Sequence, residues 1–259
     1  MLITHKINII LFIILTVLLG TSAFLYDTSL WWLLVPFVLY VTLAAIGSGL
    51  VWTGYHIKAY CKNPAISHNM IAISFDDGPT PYTLKVLDLL NLYNAKATFF
   101  CIGKQIEMHP DIFKKIIEEG HTVGNHTYTH QPKFPMFSKH AIIKELKVTN
   151  EMIQLHSGMV AKFFRPPYGV TSPKMAKAIT DTGYTVIGWN IRSLDAVIKD
   201  ENKIVNRIKK RLKPGSIILL HDTSQKTVNV LEQLLVLLQQ DNYKMVTVDH
   251  LLNIPAYEN

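Results

Sequence analysis

The stretch IAISFDDGPTP, residues 71–81, sets Asp76 and Asp77 side by side at the end of an apolar, strand-like run. Two ionised carboxylates that close repel, so the pair costs free energy unless something divides their roles. One aspartate as the cap of a helix starting near Pro81 accounts for one carboxylate and not for two. A bound cation accounts for both, because it neutralises one carboxylate and leaves the other free as a base. Strand side chains alternate between faces, and the turn at Gly78 and Pro79 is expected to swing both groups toward one cavity.

Further ligands for such an ion follow. The segment GNHTYTHQ carries His126 and His130, four residues apart, and on one helical turn residues at that spacing share a face. Both imidazoles are then expected to reach one ion. One Asp oxygen and two His nitrogens leave positions open for water and substrate, which suits a catalytic metal better than a structural one. Alone, the histidine spacing is a weak signal; joined to the aspartate pair it is a strong one. Arg165 and Tyr168 in FFRPPYG, and His221 in ILLHDT, also stand at the ends of strand-like runs. Singly, Arg165 reads as a surface cation and His221 as a core histidine. Four strand ends that all carry reactive groups read as a site.

The elements that must position these groups alternate beyond His56. Strand-like runs occupy residues 70–75, 97–102, 121–125, 162–166, 185–190, 216–220 and 244–248, with helix-like segments between most of them. Ser172 and Pro173 form a capped helix start, and residues 227–240 carry an apolar face at helical spacing. Seven strands with intervening helices predict a parallel α/β sheet or barrel, whose reactive groups collect at the C-terminal strand ends.

The first sixty residues follow a different rule. Residues 7–26 and 30–52 are uncharged, each long enough to cross a bilayer, and a short Asp-Thr-Ser loop joins them. Trp31, Trp32, Trp52 and Tyr55 lie near the ends of the second stretch, where aromatic rings favour the headgroup region, and Pro36 is tolerable near a membrane helix start. A cleaved signal peptide accounts for the first stretch but not the second. The expected organisation is a two-span membrane anchor over residues 1–57 and a catalytic domain over 65–255. Lys6 precedes the first span, Asp27 is in the loop, and Lys58 and Lys62 follow the second span. By the positive-inside rule both ends, and with them the catalytic domain, face the cytoplasm, the extracytoplasmic side being the alternative.

Composition narrows the function classes. The chain is 49% hydrophobic and 17% charged, which excludes a disordered protein. Its net charge of +7 falls entirely beyond residue 57, since Lys6 and Asp27 cancel before it. The lysines are scattered without interleaved aromatics, so a nucleic-acid partner is not expected. Two cysteines, Cys61 and Cys101, provide no disulfide framework. A two-metal phosphoesterase needs ligands for two ions, and the motifs provide them for one.

The segments SFDDGP, HTYTH, RPPYG and LLH, in this order and with these gaps, resemble the motifs of the polysaccharide deacetylases. These are the NodB-homology enzymes of carbohydrate esterase family four, and the resemblance extends over about residues 70–248. It implies an α/β fold, a distorted (β/α) barrel of about seven strands. It also implies Asp76 as general base and Asp77, His126 and His130 as ligands of one divalent ion, usually zinc. Arg165 would orient ionised Asp76, and the backbone N–H of Tyr168 would help hold the oxyanion. His221 would be the general acid, Asp195 would orient and charge it, and Leu219 would line the pocket for the acetyl methyl. The implied activity is removal of N-acetyl groups from N-acetylhexosamine residues of a glycan or glycolipid, a lipid-linked sugar being favoured by a cytoplasmic site. An O-acetyl esterase is the alternative enzyme, and a non-enzymatic sugar-binding protein the alternative class. The chain departs from the family in GWNIRSLDAV, where an Asp, two residues and Asp-Trp are common: Arg192 stands for the first Asp and Ala196 for the Trp.

Overall fold

The computed structural model describes residues 4–258. Nine strands form one parallel sheet: β1 (Ala59–Tyr60), β2 (Met70–Asp76), β3 (Ala97–Cys101), β4 (Thr122–Asn125), β5 (Phe163–Phe164), β6 (Thr185–Ile187), β7 (Ile191–Arg192), β8 (Ile217–His221) and β9 (Lys244–Val246). Their order is β1-β6-β5-β4-β3-β2-β8-β7, with β9 paired to the N-terminal part of β2. All seven expected strands are present. β1 and β7 are additions; each is two residues long, as β5 is, but β5 is a pair of phenylalanines whereas Lys58, Lys62 and Arg192 break any apolar run at the other two. Among the described residues β1 and β7 do not pair with each other, so the sheet curls into an open barrel, the distorted (β/α) barrel that was expected.

Strand periodicity separates the two faces. On β2, Ile71, Ile73 and Phe75 join an outer core packed under helices, while Ala72 joins the core inside the curl. Ser74 and Asp76 share the parity of Ala72, so the same alternation aims them inward. β8 follows suit, with Ile218 and Leu220 in the outer core and Ile217 and Leu219 in the inner one. The helix Gln225–Gln240 covers the outer face with Leu231, Leu234, Leu235 and Leu238, all fully buried. Each such side chain contributes about 1.5–3 kcal/mol of burial. Helix starts are set by hydroxyls. Ser172 Oγ accepts from Met175 N at 3.2 Å ahead of the helix Pro173–Thr182. Thr80 caps the helix Pro81–Leu92 in a reciprocal box with Thr83, so neither Asp76 nor Asp77 serves as its cap.

The N-terminal residues form two helices long and apolar enough to cross a membrane. The first is His5–Tyr26; the second runs Leu30–Gly49, opening with a tighter turn over Leu30–Leu33. Their mean hydropathies are 2.5 and 2.0. Twenty-two residues span about 33 Å at 1.5 Å each, a match for the bilayer interior. Phe24 and Trp31 are 88% and 78% exposed, so the protein itself does not cover them.

The second helix stops earlier than the 30–52 expected, and the chain beyond it is built into the body. Val51 is buried in the inner core, beside Gly169 and Gly188. Thr171 N donates to Ser48 O at 2.8 Å, and Ser48 Oγ lies 2.9 Å from His56 Nε2. Tyr55 does not occupy a headgroup position. It is 2% exposed, and its hydroxyl accepts from Asn8 Nδ2 at 2.6 Å. Asn8 also donates to Tyr40 O, so both polar groups are satisfied where burial demands it.

The Tyr55 ring occupies the space a side chain on Gly47 would need: a Cβ there would lie 2.3 Å from Tyr55 Cγ. Gly47→Ala is therefore expected to overpack this seat by about 1–3 kcal/mol. In detergent-solubilised protein it should lower Tm and speed proteolytic cleavage around residues 50–58, with equal cleavage rates counting against this seat.

Candidate active site

Because every strand runs the same way, the C-terminal ends of β2, β4, β5, β7 and β8 share one rim. Asp76 closes β2 and is 3% exposed. Arg165, just past β5, is fully buried. Its Nη1 donates to Asp76 Oδ1 at 2.7 Å and to Ser74 Oγ at 2.9 Å. Its Nη2 and Nε donate to Gly188 O and Ile187 O, and its guanidinium lies 3.9 Å from the centre of the Phe100 ring. The surface-cation reading of Arg165 is thus excluded. A buried guanidinium making four hydrogen bonds fixes one carboxylate oxygen of Asp76 and leaves the other, Oδ2, turned toward His126 at 3.8 Å.

Asp77 separates from Asp76 through its own backbone. Its φ of 76° lies in the left-handed region, at a cost of about 1–3 kcal/mol for a residue other than glycine. This turn, more than the Gly78-Pro79 step alone, brings both carboxylates to one cavity. The loop beyond it is braced by Asp222, the residue after His221. Asp222 is fully buried, its Oδ2 accepts from Thr83 Oγ1, and its main-chain O accepts from Thr80 Oγ1 at 2.5 Å. A Cβ on Gly78 would fall 2.3 Å from that carboxylate, so glycine is required there. Burial pushes the Asp222 carboxyl up to about 7.

His126 and His130 do meet, but not on a helical turn. They belong to a loop after β4, with φ of 67° at Thr127 and 50° at His130. Side chains and neighbouring backbone hold its shape. Asn125 Oδ1 accepts from Thr127 N at 2.9 Å, and Glu145 Oε2 accepts from the main-chain N of Tyr128 and Thr129 at 3.0 and 2.8 Å. Glu145 belongs to the helix Lys139–Ser157, accepts also from Thr129 Oγ1 at 2.9 Å, and carried no sequence signal, since its partners are backbone amides and one loop hydroxyl of a distant segment.

One oxygen of Asp77 and one nitrogen from each of His126 and His130 lie within 4.8 Å of one another. His126 Nδ1 is 2.8 Å from the Arg165 carbonyl, which requires the proton on Nδ1 and leaves the Nε2 lone pair free. That lone pair faces Asp77 Oδ1 at 3.5 Å, and His130 Nε2 faces the same oxygen at 3.4 Å. Asp77 Oδ1 is buried with no hydrogen-bond partner. Three lone-pair atoms converging on one point fit a divalent cation. For Asp77, burial opposes ionisation, but the neighbouring histidines outweigh it and hold the carboxyl at about 2. Burial, then the field of His126, keeps His130 at about 4 and so neutral, as a metal ligand must be.

On the opposite wall, His221 Nδ1 lies 2.8 Å from Asp195 Oδ1. Asp195 is fully buried and accepts also from Ser193 Oγ, Thr227 Oγ1 and His221 N, at 2.7, 2.9 and 2.8 Å. Burial acts to lower the His221 pKa, but its hydrogen bond to Asp195 and the carboxylate fields overcome this and raise it to about 9. The imidazolium is thus stable near neutral pH, with Nε2 the nitrogen left over.

These groups enclose a pocket of about 170 Å³, whose apolar side is formed by Trp189, Leu194, Ala196, Val197 and Leu219. Tyr168 is at its edge, with a φ of 60° and its hydroxyl 3.5 Å from His130 Nδ1. Every candidate site residue lines the pocket except Arg165 and Asp195, which act on it from behind. Trp189 went unnoticed inside a strand-like run, yet it supplies an indole to a pocket whose Ala196 does not.

A raised folded-state pKa contributes stability that is complete below the unfolded value, about 6.5, and is lost as pH rises through about 9. In Asp195→Asn the imidazole pKa of His221, followed by NMR in metal-free protein, is expected to drop toward the ordinary range. The alkaline loss of stability should move down with it. An unmoved titration would remove Asp195 from this role.

Comparison with known proteins agrees with this geometry. The polysaccharide deacetylase family model matches residues 64–187. Two peptidoglycan-N-acetylglucosamine deacetylases of Bacillus cereus are 33% and 35% identical over 195 and 197 residues, which is 73% and 72% of this chain and 70% and 89% of theirs. The structure of the Bc1960 peptidoglycan N-acetylglucosamine deacetylase aligns with a TM-score of 0.72 at 30% identity, over 76% of this chain and 94% of that one. With sequence and curled sheet matched over most of both chains, the protein belongs to the polysaccharide deacetylases, the NodB-homology enzymes of carbohydrate esterase family four.

Proposed function

We propose that this protein is a membrane-anchored, metal-dependent deacetylase that hydrolyses the N-acetyl group of an N-acetylhexosamine in a glycan or glycolipid. The observation that carries the reading is the pairing within one pocket: a three-atom cation site lies between a carboxylate fixed by Arg165 and an imidazolium charged by Asp195. Asp77 Oδ1, His126 Nε2 and His130 Nε2 would hold one divalent ion, zinc by the donor set, which when bound supplies Lewis acidity to the amide carbonyl and to water.

The chain's own groups then divide the proton work. Asp76, its Oδ1 held by Arg165, takes a proton from the attacking water at Oδ2. His221 gives a proton from Nε2 to the leaving amine and regains one before the next turnover. The Tyr168 backbone N–H helps to hold the oxyanion, and Leu219 meets the acetyl methyl. Water adds to the carbonyl carbon, the C–N bond breaks, and acetate and a free amine result.

Asp76→Asn is expected to retain zinc and lose about 10²–10⁴-fold in kcat, whereas Asp77→Asn should lose zinc affinity itself. Acetate release and zinc titration together measure both, using peptidoglycan fragments, chitin oligomers, acetylxylan and lipid-linked sugars with and without chelator. Wild-type zinc binding in both variants would falsify this division of the pair. Acetate from acetylxylan alone would make the enzyme an O-acetyl esterase, and none from any substrate would leave a sugar-binding protein.

The orientation reading places both chain ends in the cytoplasm. Lys6, Lys58 and Lys62 lie at one end of the hairpin and Asp27 at the other, and His5 N donates to Tyr55 O at 2.9 Å, joining the two basic ends. A reporter that works only outside the cytoplasm, fused after Asn259, should stay inactive. Strong activity would reverse the topology and favour wall glycan over a lipid-linked sugar.

A further inference from the structure

The chain has four arginines, and their distribution is uneven. Arg165 is buried in the site; the other three, Arg192, Arg207 and Arg211, all line one groove of about 220 Å³. Tyr168, Trp189 and Arg192 line both this groove and the catalytic pocket, so the two adjoin. The far side of the groove is the end of the membrane hairpin, where Leu50 and Trp52 remain exposed. Basic charge thus fills the space between the presumed bilayer surface and the reaction centre.

These arginines are not spent on protein anions. Among the described residues Arg165 is the only arginine in an ion pair. Arg207 instead donates from Nε to the Arg192 carbonyl at 2.8 Å, which fixes its guanidinium beside the strand that leads to Asp195. Burial first, and then the fields of Arg211 and Arg192, hold Arg207 below its ordinary pKa, so like charges crowd here. Lys203 and Lys210 extend the charge along the helix Glu201–Lys209 and just beyond it. Arginine in place of lysine matters: a planar fork of donors matches a phosphate oxygen pair, and the chain otherwise uses lysine for its surface charge.

We propose that Arg207 and Arg211, aided by Arg192, bind the phosphate or diphosphate of a membrane-lipid-linked N-acetylhexosamine. This rests on the deacetylase reading above and names its substrate class. In such a sugar the acetamido group sits on the carbon next to the one bearing the phosphate. An anion in the groove therefore sets the scissile amide at the mouth of the adjoining pocket. The lipid chain leaves past Leu50 and Trp52 toward the bilayer.

The test uses the full chain in neutral detergent, which removes anionic headgroups from the comparison. Acetate release is measured from N-acetylglucosaminyl diphosphate carrying a short prenyl chain, and from triacetylchitotriose. Arg211→Gln and Arg207→Gln are expected to raise KM for the diphosphate substrate about tenfold or more, with Arg207→Lys milder because it keeps the charge. Rates on the neutral oligosaccharide should stay within about twofold, since these side chains then meet no anion. Equal losses on both substrates, or no loss on either, overturn the proposal. So does a defect that appears only in vesicles containing phosphatidylglycerol, because the groove would then be a bilayer contact. If wild-type protein releases acetate from neither substrate, the deacetylase reading fails, and binding of the prenyl diphosphate sugar, read by tryptophan fluorescence, decides the groove. Binding lost in Arg211→Gln supports the site, and unchanged binding refutes it.

Discussion

A single fully buried cation organises this molecule. The Arg165 guanidinium has one carboxylate, one hydroxyl and two backbone carbonyls around it, drawn from β2 and from the segment leaving β6. Desolvating a charge this thoroughly is tolerable only when the partners are complete, and removing one partner of a buried pair typically costs about 3–5 kcal/mol. The curl of the sheet is what completes them, because an open flat sheet would hold β2 and β6 four strands apart. The same residue's carbonyl sets the tautomer of His126. Arg165 thus fixes Asp76 with its side chain and His126 with its backbone, tying both groups to the closure of the fold.

The two adjacent carboxylates that look like a fault in the sequence are resolved by geometry. Asp76 stays in the regular strand and takes the fixed guanidinium. Asp77 leaves it in a left-handed conformation and presents an unpartnered oxygen to two histidines. His221, across the pocket, depends on a different carboxylate, Asp195, itself sheathed in hydroxyls and an amide. His221 and Asp76 therefore have separate supports, and neither competes for the other's counter-ion.

Much of this was legible from residue order. Apolar runs and turn residues located seven of the nine strands, and the placing of Asp76, Asp77, His126, Arg165 and His221 at strand ends followed from a parallel arrangement. What escaped did so for physical reasons. Around β1 and β7, Lys58, Lys62 and Arg192 interrupt any apolar run, so nothing marks them as strands. The spacing of His126 and His130 is the same in a helical turn and in a loop folded back by left-handed residues, and only backbone angles tell them apart. Glu145 and Asp222 act on main-chain atoms, loop hydroxyls and packing from other elements, so nothing near them in sequence announces their work. Tyr55 was placed among interfacial aromatics because its partner, Asn8, lies 47 residues earlier in the chain.

The hairpin does not hang from a tether. Ser48 bonds to the body, Val51 is part of the inner core, and Tyr55 locks against the first helix, so little chain is free to swing between bilayer and sheet. A pocket mounted this way keeps a constant distance from the hairpin. On the membrane-anchored reading proposed above, it would meet its substrates by lateral diffusion in two dimensions, and a sugar held at the wrong elevation would be rejected by geometry before any contact with the pocket tests its chemistry.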